Sequence, residues 1–129
     1  MLKKKVKKTS RKTLVRKADE LFRRLILSRG SCQSCGSKQY LQTAHIITRK
    51  YYCLRFDLNN ALCLCAVCHR NFHDSPIEFG RWLSWNVKKE VLDGLLEKKS
   101  NVKPMKNHEI EAIIHGLGTL VELSKEKEG

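Results

Sequence analysis

The stretch NALCLCAVCHRNFH, from Asn60 to His73, determines how the rest of this protein is interpreted. It contains three cysteines, two histidines and two asparagines within fourteen residues. Thiolate and imidazole groups are the ligands that zinc prefers in proteins, so metal binding is the first interpretation. The run from Ala61 to Leu64 predicts a short strand, and a helix is expected to begin around Val67 to His69.

Another cysteine pair lies upstream, so the chain contains two CxxC motifs, CQSCG and CAVCH. Each CxxC turns tightly enough to present two thiolates to one ion, and two motifs complete a tetrahedral shell suited to Zn²⁺. A closed four-sulfur shell leaves no open position, so this zinc is predicted to be structural and to stabilise the fold. The predicted ligands are Cys32, Cys35, Cys65 and Cys68.

Two other interpretations of these cysteines stay open: four unrelated buried thiols, or a redox-active CxxC. No apolar segment of the kind that a secretory signal requires follows the basic N-terminal residues, so disulfides are not expected. Cys63, on the apolar strand, is predicted to be a small core residue, and Cys53 has no predicted role.

The charge balance predicts a polyanionic partner. The chain has 129 residues and a net charge of +13. DNA is the expected partner, and an anionic membrane surface is the competing one. A membrane is not expected, because the chain lacks an aromatic-rich amphipathic anchor and no apolar run approaches the roughly 18–20 residues that span a bilayer. Nine lysines and arginines precede the first acidic residue, Asp19. Residues 1–11 are therefore predicted to be a flexible basic arm, which either follows DNA phosphates or is simply solvated.

Helical patterns flank the cysteine-rich centre. Between Lys12 and Ser28 the apolar residues Leu14, Ala18 and Phe22 recur at helical spacing, and Gly30 marks the end. Downstream, SPIEFGRWL predicts a helix with Ser75 as its N-cap and a capping box completed by Glu78, and Ile77, Trp82 and Leu83 are expected to form its apolar face. Trp82 and Trp85 are interpreted as packing residues.

These elements predict an α+β fold. A first short strand runs from Tyr40 to His45, and the basic, aromatic segment TRKYYCLRFDLNN that follows is predicted to be a loop. The small two-strand core carries the four-cysteine zinc site and is flanked by N- and C-terminal helices. We expect one domain, 12–129, with its core at 30–75 and flanking helices at 12–29 and 76–126.

The histidines form a second pattern beside the cysteines. His69 and His73 are four residues apart, so they share one face of a helix and can grip one cation. If zinc uses all four cysteines, these two histidines are left for a different ion. His45 lies at the end of the first strand, and Asn60 opens the second.

These residues resemble the HNH nuclease family, the ββα-metal finger. The matching features are AHII (44–47), Asn60 shortly before Leu64-Cys65, and CAVCHRNFH. The order CxxCG, His, Asn, LCxxCH is that of zinc-bound HNH nucleases. Over residues 20–85 the chain is also similar to phage-encoded NinG-like HNH proteins.

The resemblance implies a role for each residue. His45 would be the general base, and His69 with His73 would hold a divalent ion. Asn60 would pin the loop and orient His45, or support the metal indirectly. That ion would be Mg²⁺ or another such as Mn²⁺, Ni²⁺ or Zn²⁺. The predicted DNA-contacting residues are Arg49, Lys50 and Arg55 in the loop, with Arg16 and Lys17 on the first helix.

One position departs from the family pattern. Many HNH nucleases carry Asp or His, as a metal ligand, immediately before the base, whereas this chain has Ala44 there. The missing ligand would be replaced by His73, by Asp57 or Asp74, or by water and substrate phosphate.

The sequence is therefore compatible with two functions. The first is a metal-dependent DNA endonuclease, encoded by a phage or mobile element, acting as a monomer or homodimer in the cytoplasm of a bacterial or phage-infected cell. The second is a non-catalytic, zinc-stabilised DNA-binding or recombination accessory protein, which Ala44 favours.

Overall fold

A computed structural model describes residues 8–128 of the chain, and side chains for residues 8–125. Most of the predicted basic arm thus lies outside the described residues. Six helices and two strands are described: α1 Arg11–Leu27, β1 Leu41–His45, α2 Tyr52–Arg55, β2 Ala61–Cys65, α3 Ala66–Asp74, α4 Pro76–Asn86, α5 Lys89–Ser100 and α6 Asn107–Glu128. Along the part of the chain that the structure covers, no helix is long and apolar enough to cross a membrane.

The two strands form an antiparallel pair with helices on both faces. His45 lies opposite Ala61, and Leu41 lies opposite Cys65. All five residues of β2 are buried, which is expected for a strand covered on both sides. The predicted α+β fold with a ββα core, formed by β1, β2 and α3, is confirmed.

Helix α1 covers one face of the sheet together with α6. The Ser10 side chain caps α1 by accepting a hydrogen bond from the Thr13 backbone N–H. Leu14, Ala18, Phe22 and Ile26, each four residues apart, are buried and pack in one cluster with residues of β2 and α6. This regular spacing gives α1 a single apolar stripe.

The other face of the sheet packs against α3 and α4. Its buried side chains are Ala44, Leu62 and Leu64, and the aromatic residues Phe72 and Trp82 cover them. The ring centroids of these two aromatic residues are 5.4 Å apart. Neither α3 nor α4 contains a fully buried residue, so this layer is more lightly packed than the α1–α6 layer.

The predicted face of α4 is partly wrong. Ser75 does precede the helix and Pro76 does open it, but the Ser75 side chain makes no capping hydrogen bond. Ile77 and Trp85 are 84% and 79% exposed. Phe79 turns toward Phe72 instead, with ring centroids 4.9 Å apart, because the side of α4 that meets α3 is set by the turn at Ser75.

The segment predicted as a loop between the strands contains helix α2 and a 3₁₀ turn at Leu58–Asn60. Leu54 is completely buried and Phe56 is 7% exposed. Aromatic and apolar residues therefore anchor this segment to the core, which its basic composition did not indicate.

Candidate functional site

The four predicted zinc ligands converge. The sulfur atoms of Cys32, Cys35, Cys65 and Cys68 all lie within 4.8 Å of one another. The Cys35 and Cys65 sulfurs are 3.7 Å apart, close to the roughly 3.8 Å that two thiolates reach on one tetrahedral Zn²⁺ with bonds of about 2.3 Å. The donor set and its spacing therefore fit a structural zinc ion.

Local backbone geometry builds each half of this cluster. The Cys35 N–H donates to the Cys32 sulfur at 3.4 Å, and Gly36 follows with a φ of +81°, which glycine adopts without strain. In the second half, Cys65 is the N-cap of α3, and its sulfur accepts from the Cys68 N–H at 3.5 Å. Both CxxC motifs thus turn their two thiols inward.

The protonation of these thiols is uneven. Burial raises the pKa of Cys32, but backbone hydrogen bonds at Cys35, Cys65 and Ser34 outweigh burial and lower this pKa to about 6. Burial and the neighbouring cysteine sulfurs raise the pKa of Cys68 to about 12. Four thiolates repel one another in such a space, and a divalent cation is what offsets this repulsion.

The first CxxC is tied directly to β2. The Gln33 N–H donates to the Cys63 carbonyl at 2.8 Å, and the Gln33 side-chain oxygen accepts from the Cys63 N–H at 2.8 Å. Arg29 donates to the same side-chain oxygen and to the Ala61 carbonyl. As predicted, Cys63 is a buried core residue, with 0% exposure.

His69 and His73 line a cleft of about 260 Å³ together with Gln42, Ala66 and Arg70. A ring nitrogen of His69, Nδ1, lies 2.8 Å from the Gln42 side-chain oxygen. Because that oxygen only accepts, Nδ1 carries the proton and Nε2 keeps a free lone pair. Burial and the nearby His73 lower the pKa of His69. This neutral tautomer is suited to binding a metal ion through Nε2.

Ala44 faces away from solvent on the same side of β1 as Gln42. It is 3% exposed and packs with Leu62 and Leu64. Among the described residues, the four cysteines are the one group of three or more His, Cys, Asp or Glu side chains whose ligand atoms converge. The cleft therefore offers two imidazoles, from His69 and His73, without a third converging protein ligand.

Asp57 and Asp74, the carboxylates that could replace the ligand missing at position 44, differ in their existing contacts. Asp57 forms an ion pair with Lys98, and its side chain also accepts from the Asn59 N–H at 2.9 Å. Asp74 is exposed and lies 3.6 Å from the Nδ1 atom of His73. Only Asp74 is thus beside the cleft.

His45 lies on the other face of β1, against α1. Its ring stacks on Phe22 with a centroid distance of 5.5 Å and an interplanar angle of 16°. Its Nε2 lies 3.0 Å from the Arg55 backbone carbonyl, so Nε2 carries the proton and Nδ1 is the free base. Burial, with smaller effects of the Arg49 and Arg55 charges, lowers the pKa of His45 and keeps the ring neutral near pH 7.

Asn60 is completely buried and holds the segment around His45. Its side-chain oxygen accepts from the Ile47 N–H at 2.8 Å. Its side-chain nitrogen donates to the carbonyls of Ile47 and Leu54 at 2.9 and 3.0 Å. All the strong hydrogen-bonding capacity of this amide is directed at backbone, so Asn60 fixes the loop and contacts no solvent.

The predicted DNA-contacting residues fall into two groups. Arg49 and Lys50 are exposed on the turn after β1, and Arg16 and Lys17 line a surface groove of about 500 Å³ on α1. Arg55 differs, since its guanidinium donates to both carboxylate oxygens of Asp19 and its side chain is 16% exposed. The geometry of Arg55 does not support the predicted DNA contact.

Three residues of the site gave no clear signal in the sequence. Gln42 contacts His69, Asp19 contacts Arg55, and Phe22 contacts His45. Only Phe22 lay on a recognised apolar stripe, and its contact with a histidine 23 positions away was not indicated by that stripe. The other two contacts depend on how α1 meets α2 and on how α3 meets the sheet.

A two-stranded sheet, a helix with two outward histidines and a four-cysteine cluster that fits zinc form a ββα domain. Residues 32–79 match the family model described as HNH endonuclease. The predicted resemblance to HNH endonucleases is thereby confirmed for this central segment. Searches of curated proteins and of solved structures found no significant match.

Proposed function

We propose that this protein is a metal-dependent DNA endonuclease that hydrolyses phosphodiester bonds. The observation that carries the proposal is the orientation of His45, whose Nε2 proton is held by a backbone carbonyl while Nδ1 keeps its lone pair. The HNH endonuclease match over residues 32–79 supports the same assignment. A nuclease of this family acts on nucleic acid, and the +13 net charge favours DNA binding.

His45 acts as the general base in this proposal. A neutral imidazole accepts the proton of the attacking water at Nδ1, while the Arg55 carbonyl stabilises the resulting imidazolium through Nε2–H. Asn60 positions both His45 and Arg55. Its side-chain amide forms hydrogen bonds with the backbone of Ile47, which follows His45, and of Leu54, which precedes Arg55. Burial lowers the pKa of His45, so the base is unprotonated at neutral pH.

His69 and His73 are the residues that would hold the catalytic ion, with Asp74 or water completing its shell. A divalent ion bound there would supply Lewis acidity at the scissile phosphate and the leaving oxygen. Two imidazoles form a donor set that suits Ni²⁺ or Zn²⁺ better than Mg²⁺, which prefers oxygen ligands. Arg49 and Lys50 are proposed to contact the DNA backbone beside the base.

The residues proposed to hold the ion and to act as the base lie on opposite faces of β1, since Gln42 contacts His69 on one face and His45 stacks on Phe22 on the other. Gln42, which orients His69, and His45 are three residues apart, or about 10 Å along a strand. A duplex backbone lying across the end of β1 is the substrate position that this spacing favours.

The deciding experiment is cleavage of supercoiled plasmid by purified, zinc-loaded protein with Mg²⁺, Mn²⁺, Ni²⁺ or added Zn²⁺. We expect nicking that falls by roughly 10²- to 10⁴-fold in His45→Ala, since that is the usual contribution of a general base. His108→Ala, which changes an exposed histidine at the start of α6, serves as the matched control. Undiminished cutting by folded His45→Ala would rule out the mechanism.

A non-catalytic DNA-binding function is the second candidate, and buried Ala44 is the observation that favours it. The position carries no ligand and is closed by Leu62 and Leu64. This candidate predicts salt-sensitive DNA binding and retained zinc, without cleavage in any of the four metal ions. Cutting that disappears in His45→Ala would exclude it.

A further part of the proposal concerns the origin, DNA substrate and cellular location of the protein. The resemblance to NinG-like proteins that the sequence of residues 20–85 suggests favours a phage or mobile-element origin and branched recombination intermediates as a substrate. We propose on the same ground that the protein acts in the cytoplasm of a bacterial or phage-infected cell. One ββα site cuts one strand, so a monomer would nick and a homodimer would cut both strands. Comparing cruciform with linear DNA tests the substrate proposal.

A further inference from the structure

Helix α1 contacts the surroundings of His45 at two points. Phe22, which is 2% exposed, stacks on the His45 ring. Asp19 lies three residues earlier on the same side of α1 and accepts two hydrogen bonds from the Arg55 side chain, at 2.8 and 2.5 Å. Arg55 in turn presents its backbone carbonyl to His45 Nε2. All these contacts converge on one imidazole.

We infer that α1 is a positioning element for the general base, with Asp19 acting through Arg55 and Phe22 acting by direct stacking. This inference rests on the proposed function of His45. Helix α1, at Arg11–Leu27, lies outside the segment 32–79 that matches the HNH endonuclease family. The Asp19 and Phe22 side chains that act on His45 therefore come from outside the matched segment.

The geometry of Arg55 explains how Asp19 reaches the base. Two parallel N–H···O bonds between a guanidinium and a carboxylate fix both position and orientation. The Arg55 guanidinium also lies over the Tyr52 and Phe56 rings, 5.6 and 5.9 Å from their centroids. With its side chain held in this way, the Arg55 peptide carbonyl stays aimed at His45.

The Asp19–Arg55 pair also affects the pKa of His45 through its charges. The charged groups facing His45 are Arg49 and Arg55 on the loop and Asp19 on α1. The two arginines lower the pKa of His45 and Asp19 raises it, after the larger effect of burial. Removing the Asp19 charge should therefore lower the pKa of His45 further and make it a weaker base.

The test compares Asp19→Asn with Asp19→Glu and with Asp93→Asn. Asp93 pairs with Lys89 on the surface of α5, so its substitution makes the same charge change away from the site. The first readout is NMR titration of the His45 ring and its tautomer in zinc-loaded protein without a second metal. The second is the pH dependence of plasmid cleavage.

For Asp19→Asn we expect a downward shift of the His45 titration and a fall in cleavage of roughly 10- to 100-fold, the usual cost of a misplaced catalytic group. Asp19→Glu should restore part of the rate, and Asp93→Asn should match the unmodified protein in both readouts. Arg55→Lys, which keeps the charge but loses the two-point attachment, should lower the rate with little movement of the titration.

Wild-type titration and tautomer of His45 in Asp19→Asn would overturn the inference. If Asp19→Asn does not fold, which its zinc content and NMR spectrum report, an unaltered cleavage rate in Arg55→Lys would do so. A wild-type protein that cuts no DNA would refute the proposed function instead. The titrations would still decide whether α1 holds His45, so the two failures are distinguishable.

Discussion

At the residue scale, the hydrogen bond between Gln42 and His69 controls which ring nitrogen of His69 is free to bind an ion. An amide oxygen 2.8 Å from Nδ1 keeps the proton there and leaves Nε2 for an ion. The same logic applies to His45, whose Nε2 proton is held by a carbonyl so that Nδ1 is free. Each of the two histidines is thus set in one tautomer by an oxygen acceptor, although the roles proposed for them differ.

Gln42→Leu should weaken binding of Mn²⁺ or Ni²⁺ by roughly 10- to 100-fold, because substitution of such an orienting partner usually has that cost. Calorimetric titration of zinc-loaded protein measures this, with the four-cysteine zinc unchanged by elemental analysis. Gln39→Leu, an exposed change just before β1, is the control. Equal affinity in Gln42→Leu and unmodified protein would show that His69 does not depend on Gln42.

At the element scale, α3 depends on the zinc cluster more than α1 does. Helix α3 has nine residues and none is fully buried, whereas α1 has four buried residues and packs along α6. Isolated helices of this length are marginal in water. Since Cys65 caps α3 and Cys68 lies in its first turn, a zinc ion held by the four cysteines would fix the start of the helix that carries His69 and His73.

Cys35→Ser should therefore lose zinc and loosen the α3–α4 layer before the α1–α6 layer. Hydrogen exchange is the measurement, with faster exchange expected in 66–86 and little change in 14–26. The melting temperature should fall by roughly 10 °C, since about 3 kcal/mol has an effect of that size on a small domain. Cys53→Ser, at a half-buried cysteine outside the cluster, is the control. Uniform loosening of both layers would contradict the expected order.

At the scale of the whole molecule, local patterns were predictable and long-range contacts were not. The CxxC motifs and the helical stripe of α1 follow from spacing within a few residues, and the structure contains both. The exposed face of Ile77 and Trp85, and the helix α2 within a predicted loop, depend on which elements meet in space. The pairing of Asp19 with Arg55 joins residues 36 positions apart, beyond any periodic signal.

Charge is the other property of the whole molecule. The last prediction concerns how the positive charges on α1 contribute to DNA binding. Arg16 and Lys17 are exposed beside Arg24 on a groove of about 500 Å³. If DNA lies along α1, each lost phosphate contact removes about 0.9 from the slope of log affinity against log salt concentration. Arg16→Ala with Lys17→Ala should then reduce that slope by about 2.

The matched control for this pair is Lys88→Ala with Lys89→Ala, which removes the same charge from the start of α5. Fluorescence anisotropy with labelled duplex DNA over a series of salt concentrations gives both slopes. A general attraction of DNA to a chain of net charge +13 would lower the slope equally in the two double variants. A larger loss from the α1 pair identifies a defined path for the DNA, on the same helix that contacts His45 through Phe22. Equal losses would remove α1 from the proposed DNA-binding surface.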